Sequence, residues 1–388
     1  MPGMTEPAHD YLDLDSLLSA PERALRDRVR AFTDERVRPH IATWYETAHF
    51  PRELATELGD LGLLGMHLRG HNAVEYGLAA MELEAGDSGL RTFFSVQGSL
   101  VMTAISRWGS PEQQQRWLPG LAAGELIGCF GLTEPSAGSD PAAMRTTARR
   151  DGDGWVLDGS KRWIGLASIA DVAVIWARAD DGIRGFLVPT GSDGFAATPI
   201  EPKLGMRASI QCDITLTGVR LPADAVLPGV TGLKGPFTSL NEARYGIIWG
   251  SMGAARDAYE DALAYALERT QFGAPIAAFQ LTQQKLVDMV LEIQKGTLVA
   301  LHTGRLKDAG RLRPEQLSFG KLANVRAAIE VCRQARTILG GNGITLEHSA
   351  LRHAINLEAV RTYEGTDEIH TLIMGRAITG LPAFNPPS

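Results

Sequence analysis

The chain has 388 residues, of which 44% are hydrophobic and 21% charged, and its formal net charge is −7. This length exceeds one ordinary hydrophobic core, so two or three domains are expected. The negative charge argues against a nucleic-acid role, because phosphate contacts need clustered lysine and arginine.

Targeting and metal signals are weak in this sequence. The N-terminus lacks an apolar h-region, and no run of about 18 apolar residues is available to span a bilayer. The three cysteines, Cys129, Cys212 and Cys332, have no metal-ligand spacing and cannot pair evenly. Structural thiols in a reducing compartment are therefore favoured, and a cytoplasmic, metal-free protein is predicted.

Residues 12 to about 125 are predicted to be helical. In "LRDRVRAFTDERVRP", Leu25, Val29 and Phe32 recur at spacings of four and three, and Pro39 ends the run. In "SPEQQQRW", Ser110 is the predicted N-cap of a further helix. These patterns predict an N-terminal α-helical domain over residues 1–127.

The pattern changes near residue 127. "GWVLDGSKRWIG", "VAVIWARA", "RGFLVPT" and "CDITLTGVRLP" are short runs rich in β-branched and aromatic residues, and Gly, Asp and Pro separate them. Because helical segments are absent between these runs, we expect an antiparallel barrel or sandwich over residues 128–228 rather than a doubly wound sheet.

Helical periodicity returns after Pro228. "SMGAARDAYEDALAYALER" and "KLANVRAAIEVCRQARTIL" place apolar residues at helical spacing, and Gly340 and Gly341 follow the second run as a helix end. "LGGNG" follows no strand and lacks the spacing of a dinucleotide-binding fingerprint. The sequence therefore predicts an α+β protein whose third domain, residues 229–388, is a helical bundle.

Three carboxylates lie close together in "TYEGTDEIH", residues 362–370. Thr366 is a good N-cap, so Asp367 and Glu368 fall in the first turn of a helix, where the helix dipole favours acids. Glu364 precedes flexible Gly365 and lies outside that helix, so no capping role explains it. Glu364 is therefore the candidate general base.

Four segments in order resemble motifs of the acyl-CoA dehydrogenase flavoproteins. They are "CFGLTEPSAGSDP" (129–141), "ERTQFGAPIAAFQ" (268–280), "ILGGNGI" (338–344) and "YEGTDEIH" (363–370). The resemblance runs from about residue 25 to 384 and implies the same three-domain layout, with a four-helix bundle as the third domain. It also implies FAD as cofactor, an acyl thioester as substrate, an electron-transfer flavoprotein as acceptor and a homotetramer.

The resemblance assigns roles to individual residues. Glu364 would remove the α-proton of the thioester while a hydride leaves the β-carbon, and the N–H of Glu364 would bind the thioester carbonyl. The implied FAD contacts in the same subunit are Phe130, Leu132, Thr133, Gly138, Ser139, Trp163, Thr366 and Glu368. The implied contacts to the distal end of a neighbouring subunit's FAD are Arg269, Gln271, Phe272, Gln280, Gln334, Gly341 and Gly343. For the Gly138–Ser139 stretch a plain surface turn is the alternative, and for Trp163 it is core packing.

The segment "ELEAGDSGLRTFFSVQGSLV", residues 82–101, bears on the acyl group. Arg91 and Ser95 are four apart and share a face if this stretch is helical. An arginine beside a hydroxyl suits a substrate carboxylate, whereas a fatty-acyl pocket would not bury an unpaired cation. Glu84 joins that face only if the helix runs unbroken through Asp87.

This segment resembles the glutaryl-CoA dehydrogenase branch of the family, as does "NEARYGIIWG" (241–250) with Arg244. The resemblance implies that Arg91 and Ser95 hold the γ-carboxylate, with Glu84, Arg244 and Tyr363 as further substrate contacts. The implied reaction is oxidation of glutaryl-CoA and decarboxylation to crotonyl-CoA and CO2.

Three alternatives stay open. Arg91 is a surface or ion-paired arginine; the substrate is another carboxylated or carrier-protein-bound acyl thioester, with or without decarboxylation; or the protein is a flavin-binding homologue without turnover. Two departures from the family bear on them. Gly165 stands where the family usually carries a threonine that bonds flavin N5, and residues 65–77 are shorter than in the relatives, which leaves the acyl carrier open.

Overall fold

A computed structural model describes residues 10–383. The predicted absence of a targeting segment concerns the N-terminus and lies outside these residues, as do residues 384–388 of the predicted third domain. Within residues 10–383, no helix is both long and apolar enough to cross a bilayer. The same residues contain no group of His, Cys, Asp and Glu side chains arranged to hold a metal ion.

The N-terminal region is helical, as predicted. Its α-helices are α1 (Ala20–Phe32), α2 (Ile41–Glu46), α3 (Glu53–Asp60), α4 (Ala73–Gly86), α5 (Ser88–Ser95), α6 (Thr103–Trp108) and α7 (Pro111–Ala123). The predicted cap of α7 is confirmed, because the Ser110 hydroxyl accepts a hydrogen bond from the N–H of Gln113 at 3.2 Å.

A π-helical stretch, Val96–Met102, joins α5 to α6, so one helical rod runs from Ser88 to Trp108. The break before this rod lies at Asp87, whose extended backbone ends α4 and whose carboxylate caps Gly89 N at 2.7 Å. The helix is therefore interrupted at Asp87, and the condition set for Glu84 to share a helix face with Arg91 is not met. π-Helical insertions are often found at functional sites, because they change which side chains face inward.

The middle region forms one seven-stranded sheet. Its strands are β1 (Gly128–Gly131), β2 (Thr147–Asp151), β3 (Gly154–Gly165), β4 (Val172–Ala179), β5 (Gly182–Pro189), β6 (Phe195–Pro199) and β7 (Gln211–Leu221). The order across the sheet is β1-β4-β2-β3-β7-β6, and β5 also pairs with β4. β1 and β2 pair with different parts of β4, and β5 pairs along its whole length.

The expectation of a purely antiparallel sheet is wrong in one respect. β1 pairs with β4 in parallel, with Gly128 opposite Val172, and β2 meets β4 in parallel at Thr147 and Arg178. A parallel pair needs a long crossover, and here the β2–β3 hairpin provides it in place of a helix. The remaining pairs are antiparallel, so the sheet is mixed.

The C-terminal region is a helical bundle. A two-stranded hairpin, β8 (Thr270–Gln271) and β9 (Ala274–Pro275), separates its first two helices. The helices are α8 (Lys234–Glu268), α9 (Gln280–Asp308), α10 (Pro314–Leu339), α11 (Ala350–Thr362) and α12 (Asp367–Thr379). The short helices α11 and α12 pack against α10.

Helices α4 and α8 approach closely through glycines. A Cβ on Gly253 of α8 would overlap the carbonyl oxygen of Met81, and a Cβ on Gly77 of α4 would overlap the indole of Trp249. A larger residue at either position would therefore push the two helices apart. This packing sets α4 and the start of α5 directly against α8.

Candidate active site

Glu364 lies in a sharp bend between α11 and α12. Its φ is +56° and that of Gly365 is +102°, so two successive residues adopt left-handed or glycine-type backbone. Tyr363 ends α11, and the hydroxyl of Thr366 caps α12 by accepting from Ile369 N at 3.3 Å. The predicted N-cap and the non-helical position of Glu364 are both confirmed.

A buried cluster faces this bend from the N-terminal helices. Arg91 and Glu84 are fully buried, and Arg91 Nε donates to Glu84 Oε2 at 2.5 Å. The second terminal nitrogen of Arg91, Nη2, donates to the hydroxyl of Tyr363. Glu84 thus joins Arg91 although the helix breaks at Asp87. The pair forms across the break, from the end of α4 to the first turns of α5.

Three polar atoms at this site have no hydrogen-bond partner among residues 10–383. They are Arg91 Nη1, Ser95 Oγ and Glu364 Oε2, and all three atoms are buried. Buried polar groups without a partner are costly and rare in proteins, so each one needs an explanation. A bound ligand that carries a carboxylate and an acidic C–H would supply a partner for all three.

Burial dominates the electrostatics of Glu364. Burial raises the pKa of Glu364 above its ordinary value, and the nearby cations Arg91, Lys321 and Arg244 offset this only in part. Burial also lowers the pKa of Arg91, but the acidic groups of Glu84, Tyr363 and Glu364 outweigh it. Arg91 therefore stays charged, while Glu364 is a carboxyl group that takes up a proton readily.

Arg244 supports the bend itself. Its Nε donates to the carbonyl oxygen of Glu364 at 2.8 Å, and its Nη1 donates to Asn241 Oδ1 at 3.0 Å. The sequence suggested Arg244 as a substrate contact; the structure shows that it also binds the backbone of Glu364, the candidate base.

Two groups near the site were missed by the sequence analysis. Lys321 on α10 is 2% exposed and donates to the carbonyls of Tyr363 and Gly365. Tyr76 OH and Ser99 Oγ form a buried hydrogen bond of 2.7 Å. Tyr76 lies close enough to Glu364 and Arg91 for their charges to act on its hydroxyl.

A signal for Lys321 was present in the sequence. Lys321, Val325, Ala328 and Cys332 recur at spacings of four, three and four, and all four are buried on one stripe of α10. A lysine on an apolar stripe is a candidate for a specific polar role.

The candidate cofactor residues of the middle region meet at one end of β3. The N–H of Arg162 donates to the carbonyl of Thr133 at 2.8 Å, which sets the 132–146 loop beside Trp163. A register shift in β3 gives Trp163 a φ of +63° and leaves its ring 52% exposed. Bulges of this kind redirect a side chain, and the core-packing alternative for Trp163 is therefore wrong.

The rest of this loop is firmly anchored. Phe130 and Leu132 are buried, whereas Gly138 and Ser139 are exposed. Lys161, fully buried, donates to Glu134 Oε1 at 2.8 Å and to Leu132 O at 3.1 Å.

The end of β3 lies beside the rod that carries Ser95. A Cβ on Gly165 would meet only Val96 Cγ2, at 3.8 Å, so space is open on this side of Gly165. Trp163 and Gly165 are two residues apart in the same strand, and Val96 adjoins Ser95. The end of β3 that carries Trp163 therefore lies next to the helical rod that carries Arg91 and Ser95.

The residues predicted for the distal end of the cofactor do not join this site within one chain. Arg269, Gln271 and Gln280 are exposed, and Phe272 is 96% exposed with a φ of +50°. Gln334 is half-buried and donates to Glu330, Gly341 is exposed and Gly343 is buried. Most of this set forms an open surface at the end of α8.

Thr366 and Glu368 occupy the N-terminus of α12. Glu368 is exposed, and hydrogen bonds from its own N–H and from the Thr366 hydroxyl lower its pKa. This is the behaviour expected of a first-turn acid. Asp367 is buried and paired with Arg326 and Arg361, at 2.9 and 2.7 Å. The structural interpretation of Asp367 is confirmed.

Comparison with known proteins decides the family. Family models for the N-terminal, middle and C-terminal domains of acyl-CoA dehydrogenases match residues 19–125, 129–219 and 231–379. The mitochondrial short-chain specific acyl-CoA dehydrogenase of Homo sapiens is 36% identical over 371 residues, which cover 92% of this chain and 90% of the human protein. The chain belongs to the acyl-CoA dehydrogenase family.

Two solved structures of a glutaryl-CoA dehydrogenase from Mycobacterium smegmatis are similar to this acyl-CoA dehydrogenase. One is 60% identical with a TM-score of 0.96. The other, solved in complex with FADH2, is 56% identical with a TM-score of 0.97. Both matches cover 98% of this chain and 100% of the solved chain. The predicted family and three-part fold class are confirmed.

The family is one of oxidoreductases that act on CH–CH bonds and use FAD. The described residues fit this cofactor. Trp163 presents an exposed aromatic face at the end of β3, Thr133 lies beside it, and small exposed residues such as Gly138 leave the loop open to a bulky group. The relatives differ in the acyl group that they are named for, so the substrate depends on the site itself.

Proposed function

We propose that this acyl-CoA dehydrogenase oxidises glutaryl-CoA and decarboxylates the product to crotonyl-CoA and CO2. One observation carries the proposal: Arg91 is fully buried and charged, and its Nη1 has no partner within the described chain. A free carboxylate at the end of a short acyl chain would give this nitrogen an ionic hydrogen bond.

A purely aliphatic acyl group fits this site less well. It would desolvate Arg91 Nη1 and Ser95 Oγ, atoms with no partner among residues 10–383, without pairing either one. Such unpaired groups cost about 1–3 kcal/mol each, and more when charged. The Glu84–Arg91 pair also fixes the guanidinium in one orientation, which favours a planar carboxylate partner.

Glu364 is the proposed base. Its carboxylate ends in a buried oxygen without a partner among residues 10–383, and its raised pKa suits a group that accepts a proton from carbon. Once protonated in this buried site, Glu364 can return the proton to the dienolate that remains after CO2 leaves. The same residue therefore serves both halves of the reaction.

FAD, when bound, supplies the acceptor for the hydride that leaves the substrate β-carbon. Within the chain, Thr133, Trp163 and the 132–139 segment would hold its flavin end. Thr366 would contribute a hydroxyl next to the bend. The exposed set around Arg269 and Phe272 would reach the distal end of a neighbouring subunit's cofactor, which makes an oligomer, a homotetramer by resemblance, part of the proposal.

Other features of the proposal follow from resemblance alone. An electron-transfer flavoprotein is the proposed acceptor, and the cytoplasm is the proposed compartment. The second candidate function is oxidation of another carboxylated thioester, or of one borne by a carrier protein. The 65–77 segment leaves this candidate open, because the resemblance places the longer loop of the relatives towards substrate entry.

The test uses the purified protein, an artificial electron acceptor, and glutaryl-CoA or butyryl-CoA. The wild type should bleach its flavin with glutaryl-CoA and form crotonyl-CoA and CO2 in equal amounts. Arg91→Ala should lose about 10- to 100-fold in kcat/KM for glutaryl-CoA, as expected for an ionic hydrogen bond, and far less for butyryl-CoA.

Arg333→Ala is the matched control. Arg333 lies on α10, is 58% exposed and pairs with Glu358 at 2.9 Å, so its loss removes one positive charge away from the site. Equal losses on both substrates in Arg91→Ala would make Arg91 structural. Release of glutaconyl-CoA without CO2 would show oxidation of glutaryl-CoA without decarboxylation, and no flavin bleaching by glutaryl-CoA would favour the second candidate function.

A further inference from the structure

Three consecutive carbonyls at the Glu364 bend are held by two cationic side chains. Lys321 Nζ donates to the carbonyl of Tyr363 and, at 2.5 Å, to that of Gly365. Arg244 Nε donates to the carbonyl of Glu364 at 2.8 Å. Lys321 comes from α10 and Arg244 from α8, so the bend is tied to two helices of the bundle.

The bend needs such support. Glu364 has a φ of +56°, and a non-glycine residue in this region costs about 1–2 kcal/mol. A Cβ on Gly365 would lie 2.8 Å from the imidazole of His370, so glycine is needed at that position. A strained conformation persists only when surrounding contacts determine it. The bonds from Lys321 to both neighbours of Glu364 are contacts of this kind.

Burial of Lys321 has no simple structural explanation. The side chain is 2% exposed, and no carboxylate oxygen lies within ion-pair distance of Nζ among residues 10–383. Burying an ammonium group without a directly bound carboxylate is unfavourable. Burial lowers the pKa of Lys321, and the nearby acids Glu364 and Asp367 offset this only in part. A methionine of similar length would fill this space at lower cost if packing were its only role.

We propose that Lys321 is a positioning residue for Glu364: its ammonium group holds the carbonyls on both sides of Glu364 and thereby fixes the direction of the carboxylate. The inference rests on the proposed role of Glu364 as the base. Lys321 does not need to touch the substrate. Its charge has a second effect, because a cation near Glu364 favours the ionised form of the base.

Several groups from every neighbouring helix act on Glu364. The charged and titratable groups around it are Tyr76 and Glu84 on α4, Arg91 on α5, Arg244 on α8, Lys321 on α10, Tyr363 after α11, and Asp367 and His370 on α12. Only Lys321 and Arg244 among them bind the carbonyls of the bend. Replacing Lys321 alone therefore removes two of the three hydrogen bonds to these carbonyls and one charge, and leaves the other charged groups in place.

The experiment compares Lys321→Met, Lys321→Gln and Glu364→Gln. Lys321→Met removes both the donor and the charge, and we expect about a 100-fold slower flavin reduction by glutaryl-CoA, the loss that a small misplacement of a catalytic group causes. Lys321→Gln keeps a neutral donor, so its maximal rate should stay within about tenfold of wild type.

The pH profile distinguishes this role from simple packing. Loss of the Lys321 cation raises the pKa of Glu364, so the acidic limb of the kcat/KM profile should move to higher pH in both lysine variants. FAD content per subunit, from the flavin absorbance, and the thermal unfolding midpoint should match those of Lys295→Met. Lys295 is an exposed lysine on α9 and serves as the matched control.

Two results would overturn the inference. A Lys321→Met protein with the rate and pH profile of wild type would remove Lys321 from any positioning role. Loss of FAD or of folded protein in both lysine variants, in proportion to lost rate, would make Lys321 a structural residue. If Glu364→Gln still reduces flavin, the proposed function is contradicted as well. If Glu364→Gln is inactive and Lys321→Met behaves like the wild type, only the inference about Lys321 is contradicted.

Discussion

At the scale of single residues, Gly250 leaves the space that the Glu84–Arg91 pair fills. A Cβ on Gly250 would overlap Glu84 Oε2 and lie 3.2 Å from Arg91 Nε. Gly250 is in the middle of α8, where glycine costs about 1 kcal/mol relative to alanine. Glycine at this position therefore makes room for the buried ion pair, at some cost to the stability of the helix.

Gly250→Ala should displace the Glu84–Arg91 pair. We expect the KM for glutaryl-CoA to rise about tenfold or more, because the guanidinium loses its orientation, while butyryl-CoA kinetics change little. Steady-state assays on both substrates provide the measurement. Gly375→Ala on α12 is the control, since a Cβ there meets no atom within 4 Å among the described residues, and unchanged selectivity in Gly250→Ala would contradict the prediction.

Residues with a local signal were predictable from the sequence, and residues with a distant partner were not. The bend at Glu364 follows from Gly365 and the Thr366 cap, all within three positions. Lys321 contacts carbonyls 42 and 44 residues away, and no local pattern encodes such a partner. The sequence left open whether the helix runs unbroken through Asp87, and the contact of Glu84 with Arg91 across the break depends on how α4 and α5 pack against α8.

At the scale of elements, the bend at Glu364 leads directly into the N-terminus of α12. Thr366 caps this helix, and the resemblance gives it a second role as an FAD contact. The two roles make different predictions for the same hydroxyl. Capping affects only stability, whereas a cofactor contact affects FAD affinity as well.

Thr366→Ala should lower stability by about 1 kcal/mol, the usual cost of a lost N-cap, and Thr366→Ser should restore it. Ser110→Ala removes an equivalent cap from α7, far along the chain from the bend. Thermal unfolding and FAD titration of the apoprotein check the result. A decrease in FAD affinity in Thr366→Ala but not in Ser110→Ala would support the cofactor role, and equal affinities would leave only the cap.

The helices were easier to predict than the sheet for a physical reason. Helical periodicity and caps are local, so α1, α7 and α12 are visible in the sequence. The parallel pairing of β1 with β4 joins Gly128 to Val172 across a whole hairpin, and strand composition does not encode direction. The π-helical stretch that follows Ser95 likewise has no known residue pattern.

At the scale of the whole molecule, buried neutral histidines make the fold sensitive to acid. Burial lowers the pKa of His370 to about 3 and that of His67 to about 4. Because these folded values lie below the ordinary value of 6.5, both histidines add stability that is complete above pH 6.5 and lost as pH falls. Glu82 is buried, but its bonds to Arg256 and Arg30 lower its pKa to about 2. Glu82 therefore adds a further loss of stability as the pH falls below 4.5.

The urea midpoint of unfolding should therefore fall between pH 7 and pH 5. His370, 1% exposed, accounts for about 2 kcal/mol of this loss by linkage. His370→Gln should flatten the pH dependence by that amount, whereas His302→Gln, a change at an exposed histidine of α9, should not. A pH dependence in His370→Gln as steep as that of the wild type would show that His370 does not contribute to it.

The hydrogen bond from Arg91 to Tyr363 joins positions 272 residues apart. During synthesis the first partner leaves the ribosome long before the second, and Glu364 follows one residue later still. Arg91 is therefore synthesised shortly after its acidic partner Glu84 but long before its aromatic partner Tyr363. Any truncation before residue 363 would leave Arg91 its partner Glu84 but would remove both the Tyr363 hydroxyl and Glu364.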